Sequence, residues 1–502
     1  MSAPDERLPL AARAAGARGP LRSPLALRRM WLGMDDDPAA LAWAASPAGA
    51  ILLHVGFISA LFASRQVSTA AVILIALTLA CCTLWPARRI ALVALSGLAY
   101  IVLRPFRYTE QREFVDRMRE AAPELAELPH LAVQAPLVVA FLALAGLALD
   151  LHRRLRTSLF GRRPLLCQFA ALALLLLLGL QLEPGTIAHA GLWTLVAIYS
   201  GAFFFLAYAF ADQRGKDETP VPWRLGFMRP FWGGPSIPFK GLTYLKTFEA
   251  RTPEALAATQ LRALKLIAWA LVLLGLNALL GRLLYDVADW PTLNEALSLI
   301  ASGQSLDPLT SWAVMLKNFV MTILTVGAFW HVLVAVIRMA GFAIPRNMAR
   351  PLTARSIAEF WNRYLFYFKE VLVDFFFYPA FARWFKRHPR LRIACATFCA
   401  AFIGNVLFTL VTQAHIVAEL GPLAYLERFE SYIFYAFVLG LALIASQLRR
   451  RKPRPEDGVL RYSILPRVGV IGFFAIMLVF ADETGHLGLS ERFDFLLSLV
   501  GA

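Results

Sequence analysis

Residues 331–379 read HVLVAVIRMAGFAIPRNMARPLTARSIAEFWNRYLFYFKEVLVDFFFYP. The stretch begins as an apolar helix, breaks at Gly341, and continues as an aromatic run that is interrupted by charges at Lys369, Glu370 and Asp374. Charged side chains at membrane depth are costly unless they face a cavity or a partner. The stretch therefore predicts a polar site within a membrane protein, and not an ordinary spanning helix.

The composition of the chain is that of a membrane protein. Of its 502 residues, 58% are hydrophobic, whereas soluble domains are about 45–50% apolar, and the mean hydropathy is +0.58. We predict an all-α polytopic membrane protein with about 11 transmembrane helices, in which re-entrant and interfacial helices surround a central cavity. The predicted spans are 47–64, 68–86, 90–103, 131–151, 164–182, 187–211, 263–281, 309–342, 393–412, 430–447 and 463–481.

The alternation of apolar and polar stretches divides the chain into five parts. Residues 1–40 are predicted to be a cytoplasmic tail and 41–211 the amino-terminal transmembrane helices. A polar insert follows at 212–262, then a core at 263–481 and a carboxyl-terminal tail at 482–502.

The polar insert is rich in residues that break helices, including Gly233, Gly234, Pro235 and Pro238. Non-helical backbone near membrane depth is tolerated only where protein or a water-filled cavity satisfies its polar groups. The insert therefore predicts a re-entrant loop, and a plain interfacial loop is the alternative.

The net charge of +16 fits a membrane protein without invoking nucleic acid as a partner. Lys and Arg concentrate in cytoplasmic loops and attract anionic membrane lipids. We therefore predict that 153–163 and 449–454 face the cytoplasm, with Arg88 and Arg89 in another cytoplasmic turn. By the same rule 286–307 and the carboxyl terminus face outside, so that the amino terminus is cytoplasmic.

Residues 104–129 carry balanced charge between two apolar spans. They predict a charged helix outside the bilayer, held by i, i+4 ion pairs such as Glu113 with Arg117. The five cysteines all lie in apolar runs. Cys395 and Cys399 share a helix face, but no histidine or carboxylate stands beside them, so a packed pair is predicted and no metal site.

The breaks and aromatic residues of 331–379 follow a pattern known from one family. The segment resembles the signature region of the membrane-bound O-acyltransferase (MBOAT) family, in its bacterial branch that acetylates or D-alanylates envelope polysaccharides. The family pattern R-x-x-G-F-x-x-P-x-N-x-x-R-P is matched by Arg338, Gly341, Phe342, Pro345, Asn347, Arg350 and Pro351. The patterns S-x-x-E-F-W-x-R-W-H and D-Y-x-Y-x-P are matched in part, by Ser356, Glu359, Phe360, Trp361, Arg363, Asp374 and Pro379. Residues 231–236 resemble the family's A-G-P-I loop.

The chain departs from the family at both histidine positions. Tyr364-Leu365 stands where the family has Trp-His, and Leu407 is the nearest equivalent of the histidine on the next spanning helix. Leucine cannot take a proton, so an active enzyme needs another base. His331 is the first candidate, with packing against a helix neighbour as the alternative, and Asp374 is the second; His415 is expected to be a loop residue without a catalytic role.

The resemblance implies that several residues of the signature region bind substrate. They are Glu359, Trp361, Asn362, Arg363, Arg346 and Arg350. Arg363 would hold a phosphate or carboxylate of the acyl donor, although Glu359 and Arg363 at i, i+4 also fit a simple ion pair. Arg346 and Arg350 would bind the donor's phosphates by bidentate contacts, and ordinary cytoplasmic positive charge is the alternative.

Three functions remain open from the sequence. The first is a divergent acyltransferase that moves an acyl group from acyl-CoA or an acyl-carrier thioester to a hydroxyl of a lipid or envelope polysaccharide. It would need no bound cofactor, and its partners would be membrane lipids and an acyl-donor carrier or an envelope-modification protein. The second is an inactive scaffold with the same fold. The third is a lipid or solute transporter with broken helices, which the absence of two similar halves disfavours.

Overall fold

The computed structural model describes residues 31, 33–213, 219–229, 237–449, 456, 458–485 and 487–501. The protein is all-α, with 80% of the chain helical. Within the described residues, β-pairing is limited to one isolated bridge between Glu249 and Phe342.

The helices of the first half alternate long apolar elements with short connecting ones. They are α1 (Pro38–Ala45), α2 (Pro47–Ser64), α3 (Thr69–Leu84), α4 (Arg89–Leu103), α5 (Tyr108–Ala121), α6 (Pro123–Ala126), α7 (His130–Arg154), α8 (Leu159–Arg162), α9 (Pro164–Gln181), α10 (Ile187–Asp212), α11 (Val221–Gly226) and α12 (Leu242–Thr247).

The second half also combines long helices with shorter ones. Its helices are α13 (Pro253–Gly281), α14 (Leu293–Ala301), α15 (Pro308–Met339), α16 (Ile357–Tyr364), α17 (Phe366–Leu372), α18 (Tyr378–Arg383), α19 (Pro389–Phe398), α20 (Asn405–Thr412), α21 (Val417–Arg428), α22 (Glu430–Leu448), α23 (Leu465–Phe480) and α24 (Leu489–Ser498). The π-helical segments Val373–Phe377 and Cys399–Gly404 join α17 to α18 and α19 to α20.

Capping side chains fix where several long helices begin. Ser46 Oγ accepts a hydrogen bond from Gly49 N at 3.1 Å ahead of α2, and Thr252 Oγ1 accepts one from Ala255 N at 3.2 Å ahead of α13. Such caps satisfy backbone N–H groups that have no partner in the first helical turn. Helix α13 continues from this cap without a break to Gly281, so the predicted span 263–281 is the second part of a longer helix.

The prediction of a polytopic membrane protein is confirmed. Ten helices in the described part of the chain are long and apolar enough to cross a membrane, and Thr69–Leu84 is a shorter apolar helix. These eleven elements coincide with the eleven spans predicted from the sequence.

Contacts between distant loops place several of them on one common face. Arg117 of α5 pairs with Glu419 of α21, with 2.7 Å between Nη2 and Oε1. Ser311 of α15 hydrogen-bonds Ser498 of α24 at 2.8 Å between the two hydroxyl oxygens. We call this side, which carries α5, α14, α21 and α24, the charged-helix face.

The opposite side carries residues 240–252, and we call it the insert face. Ala250 N donates to the carbonyl oxygen of Gly341 at 2.8 Å, so the end of α15 lies there. His152 Nδ1 lies 3.0 Å from Gln213 Oε1, which brings the loop between α7 and α9 to the same face.

Helices α16 to α18 leave the insert face and return to it. Ala358 N of α16 donates to Ser446 Oγ in the last turn of α22, at 3.3 Å. Thr397 Oγ1 of α19 donates to Gln447 Oε1 of the same turn, at 2.8 Å. Because α16 at the start of the segment and α19 after it both lie beside the same end of α22, the α16–α18 segment does not cross the protein.

The described part of the insert runs deep along α4. Gly226 contacts the carbonyl of Ala94, and Arg229 Nη1 donates to the carbonyl oxygen of Arg104 at 2.8 Å, just beyond the last residue of α4. The insert therefore reaches from its own face to the far end of a span, as a re-entrant segment does. Residues 231–236, which resemble the A-G-P-I loop, lie outside the described residues.

Two predictions need correction, one about the charged segment 104–129 and one about the carboxyl-terminal tail 482–502. Helix α5 forms where the charged helix was predicted, but Arg117 pairs with Glu419 and not with Glu113, and α5 buries Phe114 and Val115. The predicted carboxyl-terminal tail contains α24, where Trp312 Nε1 donates to the carbonyl oxygen of Leu499 at 3.0 Å.

The two faces give a direct test of orientation. We expect a reporter fused after Arg162 to be active in the cytoplasm and one fused at Ala502 to be active outside, because the strongly basic loop 153–163 lies on the insert face. The measurement is a pair of reporters, one active only on each side. Identical results at both positions would contradict the orientation. Of the second basic loop, 449–454, only Arg449 lies within the described residues.

Candidate functional site

The chain turns after α15 at residues 341–347, which we call the signature turn. Residues that match the family pattern hold this turn in its conformation. Gly341 takes a positive φ of 97°, which favours glycine because it has no Cβ. Arg338, only 4% exposed, donates from Nε and Nη2 to the carbonyl oxygen of Ile344 at 2.9 and 2.6 Å. The chain therefore turns tightly after α15, and the turn needs both the glycine and the buried arginine.

Asn347 connects this turn to the start of α17. Its side chain is 1% exposed, and its Oδ1 accepts from Tyr367 N at 2.8 Å. Its own carbonyl oxygen accepts from Phe366 N at 2.9 Å, and Tyr367 OH donates to the carbonyl oxygen of Pro345 at 3.0 Å. Asn347 thus positions the α16–α18 segment relative to the end of α15.

Arg89, in the turn that the sequence predicted to be cytoplasmic, supports the signature turn from α4 as a buried residue. It is 1% exposed, and its Nη1 donates to the carbonyl oxygen of Ala250 at 2.8 Å and lies 3.6 Å from Glu249 Oε1. Its guanidinium stands against Gly341, where a Cβ would come within 2.8 Å of Cζ. Its neighbour Arg88 is exposed.

A group of charged side chains meets beside this framework, and we call it the carboxylate cluster: Tyr208, Lys240, Lys369, Glu370 and Asp374. Lys240 Nζ lies 2.7 Å from Glu370 Oε2 and 3.1 Å from Asp374 Oδ2. Tyr208 OH donates to Asp374 Oδ2 at 2.8 Å, and Lys369 Nζ lies 2.9 Å from Glu370 Oε1. The cluster has two positive and two negative charges, which compensate one another.

Three parts of the chain supply the carboxylate cluster. Tyr208 lies one turn before the end of α10, Lys240 lies in the insert, and Asp374 lies in the π-helical segment Val373–Phe377. Single-turn π-segments within helices occur frequently at functional sites. Here the segment follows Glu370 of α17, so both carboxylates reach Lys240.

The pKa directions of two cluster members follow from their pairing. Burial alone would lower the pKa of Lys240, but its hydrogen bond to Glu370 and the charge of Asp374 outweigh this and raise it. Burial alone would raise the pKa of Glu370, but Lys369 and Lys240 outweigh this and lower it. Both side chains therefore stay charged near neutral pH.

One oxygen of Asp374 is not engaged in the cluster. Tyr208 and Lys240 both bind Oδ2, while Oδ1 makes no hydrogen bond or ion pair with any described residue. The Asp374 side chain is 25% exposed. Asp374 can therefore accept a hydrogen bond from a ligand without breaking its existing contacts.

The predicted pair Glu359 and Arg363 lies apart from the carboxylate cluster. Arg363 Nη2 donates to Glu359 Oε1 and Arg363 Nη1 to Thr353 Oγ1, and Arg355 N donates to Glu359 Oε2 at 2.7 Å. Ser356 Oγ caps α16 by accepting from Glu359 N at 3.1 Å. These contacts correspond to the simple ion-pair interpretation of Glu359 and Arg363.

The other predicted substrate-binding residues are spread along the insert face. Trp361 is buried, with its ring centroid 6.2 Å from that of Phe368, and Asn362 is half-buried on α16. Arg346 is half-buried and Arg350 is exposed. The two arginines lie in the connection between α15 and α16 and remain candidates for contacts with a charged donor.

His331 lies on α15 outside the carboxylate cluster. Its ring bonds the backbone of Gly327, one turn earlier on the same helix, and the charges of Arg346 and Arg338 are nearby. The structure does not bring it into contact with Asp374, so the two predicted catalytic residues are not one group. His415 lies in the connection between α20 and α21 on the charged-helix face and is buried there, 4% exposed.

Sequence reasoning missed Tyr208 and Lys240. Tyr208 ends a run of aromatic residues in an apolar span, and Lys240 follows Pro238 in the insert. A lysine beside a predicted re-entrant loop is a signal that could have drawn attention to it, since intramembrane charges need partners. For Tyr208 the sequence offers no comparable signal.

Beside the cluster lies a small cavity between the end of α10, α11 and the insert. Its polar lining is Asp212, Arg224 and Lys240, and its apolar lining includes Phe227 and Met228. Lys240 therefore borders both this cavity and the carboxylate cluster. Searched against known proteins, the chain matches no protein-family model and no curated protein.

Proposed function

We propose that this chain is a membrane acyltransferase, a divergent relative of the MBOAT family, that moves an acyl group from a thioester donor to a hydroxyl of a lipid or envelope polysaccharide. The observation that carries the proposal is the carboxylate cluster at the re-entrant segment, with Asp374 Oδ1 available beside Lys240 and Tyr208. Intramembrane charges held in such a group are a functional site by default. The orientation proposed above makes the insert face cytoplasmic, in a bacterial inner membrane.

The proposed reaction needs one base for the acceptor hydroxyl and one proton donor for the leaving thiolate. Asp374 Oδ1 takes the proton of the acceptor hydroxyl while the oxygen of that hydroxyl forms a bond with the thioester carbonyl carbon. The carbon–sulfur bond then breaks, and the thiolate receives the proton from Asp374. Lys240 and Tyr208 hold the carboxylate in place, and no cofactor is consumed.

Asp374 takes the role of base from His331 for a geometric reason. His331 lies on α15 outside the carboxylate cluster, whereas Asp374 has an unengaged oxygen and lies where three parts of the chain meet. We therefore expect His331→Gln to retain most of the transfer activity.

A second prediction concerns the residues that would bind the donor's phosphates. Changing Arg346 and Arg350 together to Gln is expected to raise the KM for acyl-CoA about tenfold and to leave kcat within about twofold, because the arginines would bind the donor without touching the reacting atoms. The matched control is Arg153→Gln, since Arg153 is already paired with Asp150 at 2.8 Å. An unchanged KM would show that the two arginines serve only membrane orientation.

The inactive scaffold is the second candidate function, because Leu365 and Leu407 stand at the family's histidine positions. The deciding experiment is an assay of the purified protein with labelled acyl-CoA and acyl-carrier donors, measuring thioester hydrolysis and transfer to lipid and polysaccharide hydroxyls. Transfer activity that depends on Asp374 supports the acyltransferase function. No activity with any donor, together with gain of donor hydrolysis in Leu407→His, supports the scaffold.

A further inference from the structure

The connection between α18 and α19 is a basic and aromatic stretch at the surface. Residues 383–392 read RWFKRHPRLR, and residues 383–391 are all exposed. We call this stretch the basic turn. It contains five Lys and Arg residues, and the sequence has no Asp or Glu between Asp374 and Glu419. The basic turn therefore carries a high local positive charge that no neighbour in sequence compensates.

The basic turn lies at the end of a helix long and apolar enough to cross a membrane, Pro389–Thr412. Thr397 of this helix bonds the last turn of α22, and further along Phe402 packs on Phe437 with ring centroids 5.4 Å apart. The two helices are thus antiparallel, and Pro389 lies about 12 Å of helical rise beyond Thr397. The basic turn therefore projects past the end of α22 on the insert face, at the level expected of lipid headgroups.

Contacts within the hairpin of α18 and α19 hold the basic turn in place. Arg392 Nε donates to the carbonyl oxygen of Phe381 at 2.6 Å, and Arg392 Cζ lies 3.8 Å from the centroid of the Phe381 ring. Phe381 stacks on Phe377 with ring centroids 5.5 Å apart. His388 N donates to the carbonyl oxygen of Phe385 at 2.9 Å. Arg392 therefore joins the two helices, and the turn between them has a defined conformation.

The other cations of the basic turn have no partner among the described residues. Four side chains make no ion pair or hydrogen bond there: Arg383, Lys386, Arg387 and Arg390. In the other basic loop of the insert face, by contrast, Arg153 and Arg154 both pair with Asp150. The charge of the basic turn is thus left for a molecule outside the protein to compensate.

Two aromatic rings extend from the same turn. Trp384 is 51% exposed and Phe385 is 46% exposed. Phe385 has a φ of 52°, a backbone conformation that bulky residues rarely adopt. The turn therefore holds two large apolar side chains outward in an unusual conformation. Aromatic side chains at the end of a spanning helix are typical of contact with the membrane interface.

We propose that the basic turn binds the headgroup of an anionic phospholipid, with the rings of Trp384 and Phe385 inserted beside it into the membrane interface. Charge complementarity decides the occupant. Arg and Lys side chains bind phosphate oxygens, and the ammonium group of a zwitterionic headgroup would be repelled by the same cations. A free phosphate ion would leave both rings uncovered. This site is independent of the acyl transfer proposed above, because it includes no residue of the carboxylate cluster.

The test is binding to the full-length protein in a neutral detergent, measured by calorimetry. The probes are dioctanoyl phosphatidylglycerol as the anionic lipid, dioctanoyl phosphatidylcholine as the zwitterionic lipid, and inorganic phosphate. We expect saturable binding of phosphatidylglycerol, at least about tenfold tighter than of the other two probes. Changing Lys386 and Arg387 together to Gln should weaken it at least about tenfold, since each cation near anionic lipid contributes about a factor of five.

A second variant tests the aromatic part of the site. Trp384→Ala should weaken phosphatidylglycerol binding about fivefold, because apolar surface of the ring would no longer be removed from water. The matched control changes Arg153 and Arg154 together to Gln. It removes the same charge from the same face, but from side chains already paired with Asp150, so phosphatidylglycerol binding should stay within about twofold.

The other outcomes overturn the proposal. Equal binding of the two lipids, or no saturable binding, would show that the basic turn does not recognise an anionic headgroup. Phosphate bound as tightly as phosphatidylglycerol, or full binding in Trp384→Ala, would show an anion site without lipid. Full binding in the Lys386 and Arg387 variant would place the lipid elsewhere, and an equal loss in the control would show a general effect of charge on this face. The changed side chains are exposed, so the unfolding midpoints of the unliganded variants should match that of the unchanged protein.

Discussion

Replacing Asp374 by Asn is expected to reduce acyl transfer by about 100-fold or more, because the amide cannot take the proton of the acceptor hydroxyl. The amide has the size of the carboxylate, and its oxygen can still accept from Tyr208. Lys240 keeps Glu370 as a partner at 2.7 Å, so the segment should remain folded. The measurement is the initial rate of transfer from labelled acyl-CoA, with the unfolding midpoint taken from the same preparation.

The control for this change is Asp150→Asn. The Asp150 side chain is 25% exposed, as Asp374 is, and it pairs with Arg153 and Arg154 at the end of α7. Its replacement should leave transfer within about twofold, because surface ion pairs of this kind contribute little to stability. Full activity in Asp374→Asn would remove Asp374 from the reaction and return the search for a base to His331.

The spans could be predicted because their signal is local. The predicted span 187–211 is α10, Ile187–Asp212, and 430–447 is α22, Glu430–Leu448. About 20 consecutive apolar residues are needed to cross a bilayer, so length and composition within one window decide the assignment. The ion pair of Glu359 and Arg363 was also accessible from sequence, since both lie on one helix at i, i+4.

The carboxylate cluster could be predicted only in part because its pairings are not local. Glu370 and Asp374 stood out as charges in an aromatic run, but their partners Lys240 and Tyr208 come from the insert and from the end of α10. No periodicity in the sequence connects these segments. Only the folded protein shows which charge compensates which.

Arg89 shows why counting basic residues gives the side of a loop but not the role of each residue. Arg88 and Arg89 contribute equally to a positive-inside count, yet one is exposed and the other is buried against Gly341 and Ala250. The difference depends on tertiary contact with the signature turn, which composition does not report.

Replacing Gly341 by Ala is expected to destabilise the protein by about 3 kcal/mol, through two effects that a control can separate. The first is backbone strain, because φ is 97° and a side chain at positive φ costs about 1–2 kcal/mol. The second is a clash, because the new Cβ would lie 2.8 Å from Arg89 Cζ and 3.0 Å from Leu256 Cδ1, and overpacking costs about 1–3 kcal/mol.

Gly303→Ala measures the first effect alone, since its φ is 83° and no atom lies within 4 Å of the added Cβ. Its unfolding midpoint in detergent should fall clearly less than that of Gly341→Ala. The guanidinium of Arg89 cannot simply move aside, because its Nη1 is bonded to the carbonyl oxygen of Ala250 at 2.8 Å. Arg89→Met combined with Gly341→Ala should therefore cost less than the sum of the two single changes. Equal losses for the two glycine variants, or simple additivity in the double variant, would show that Arg89 does not hold the signature turn in this way.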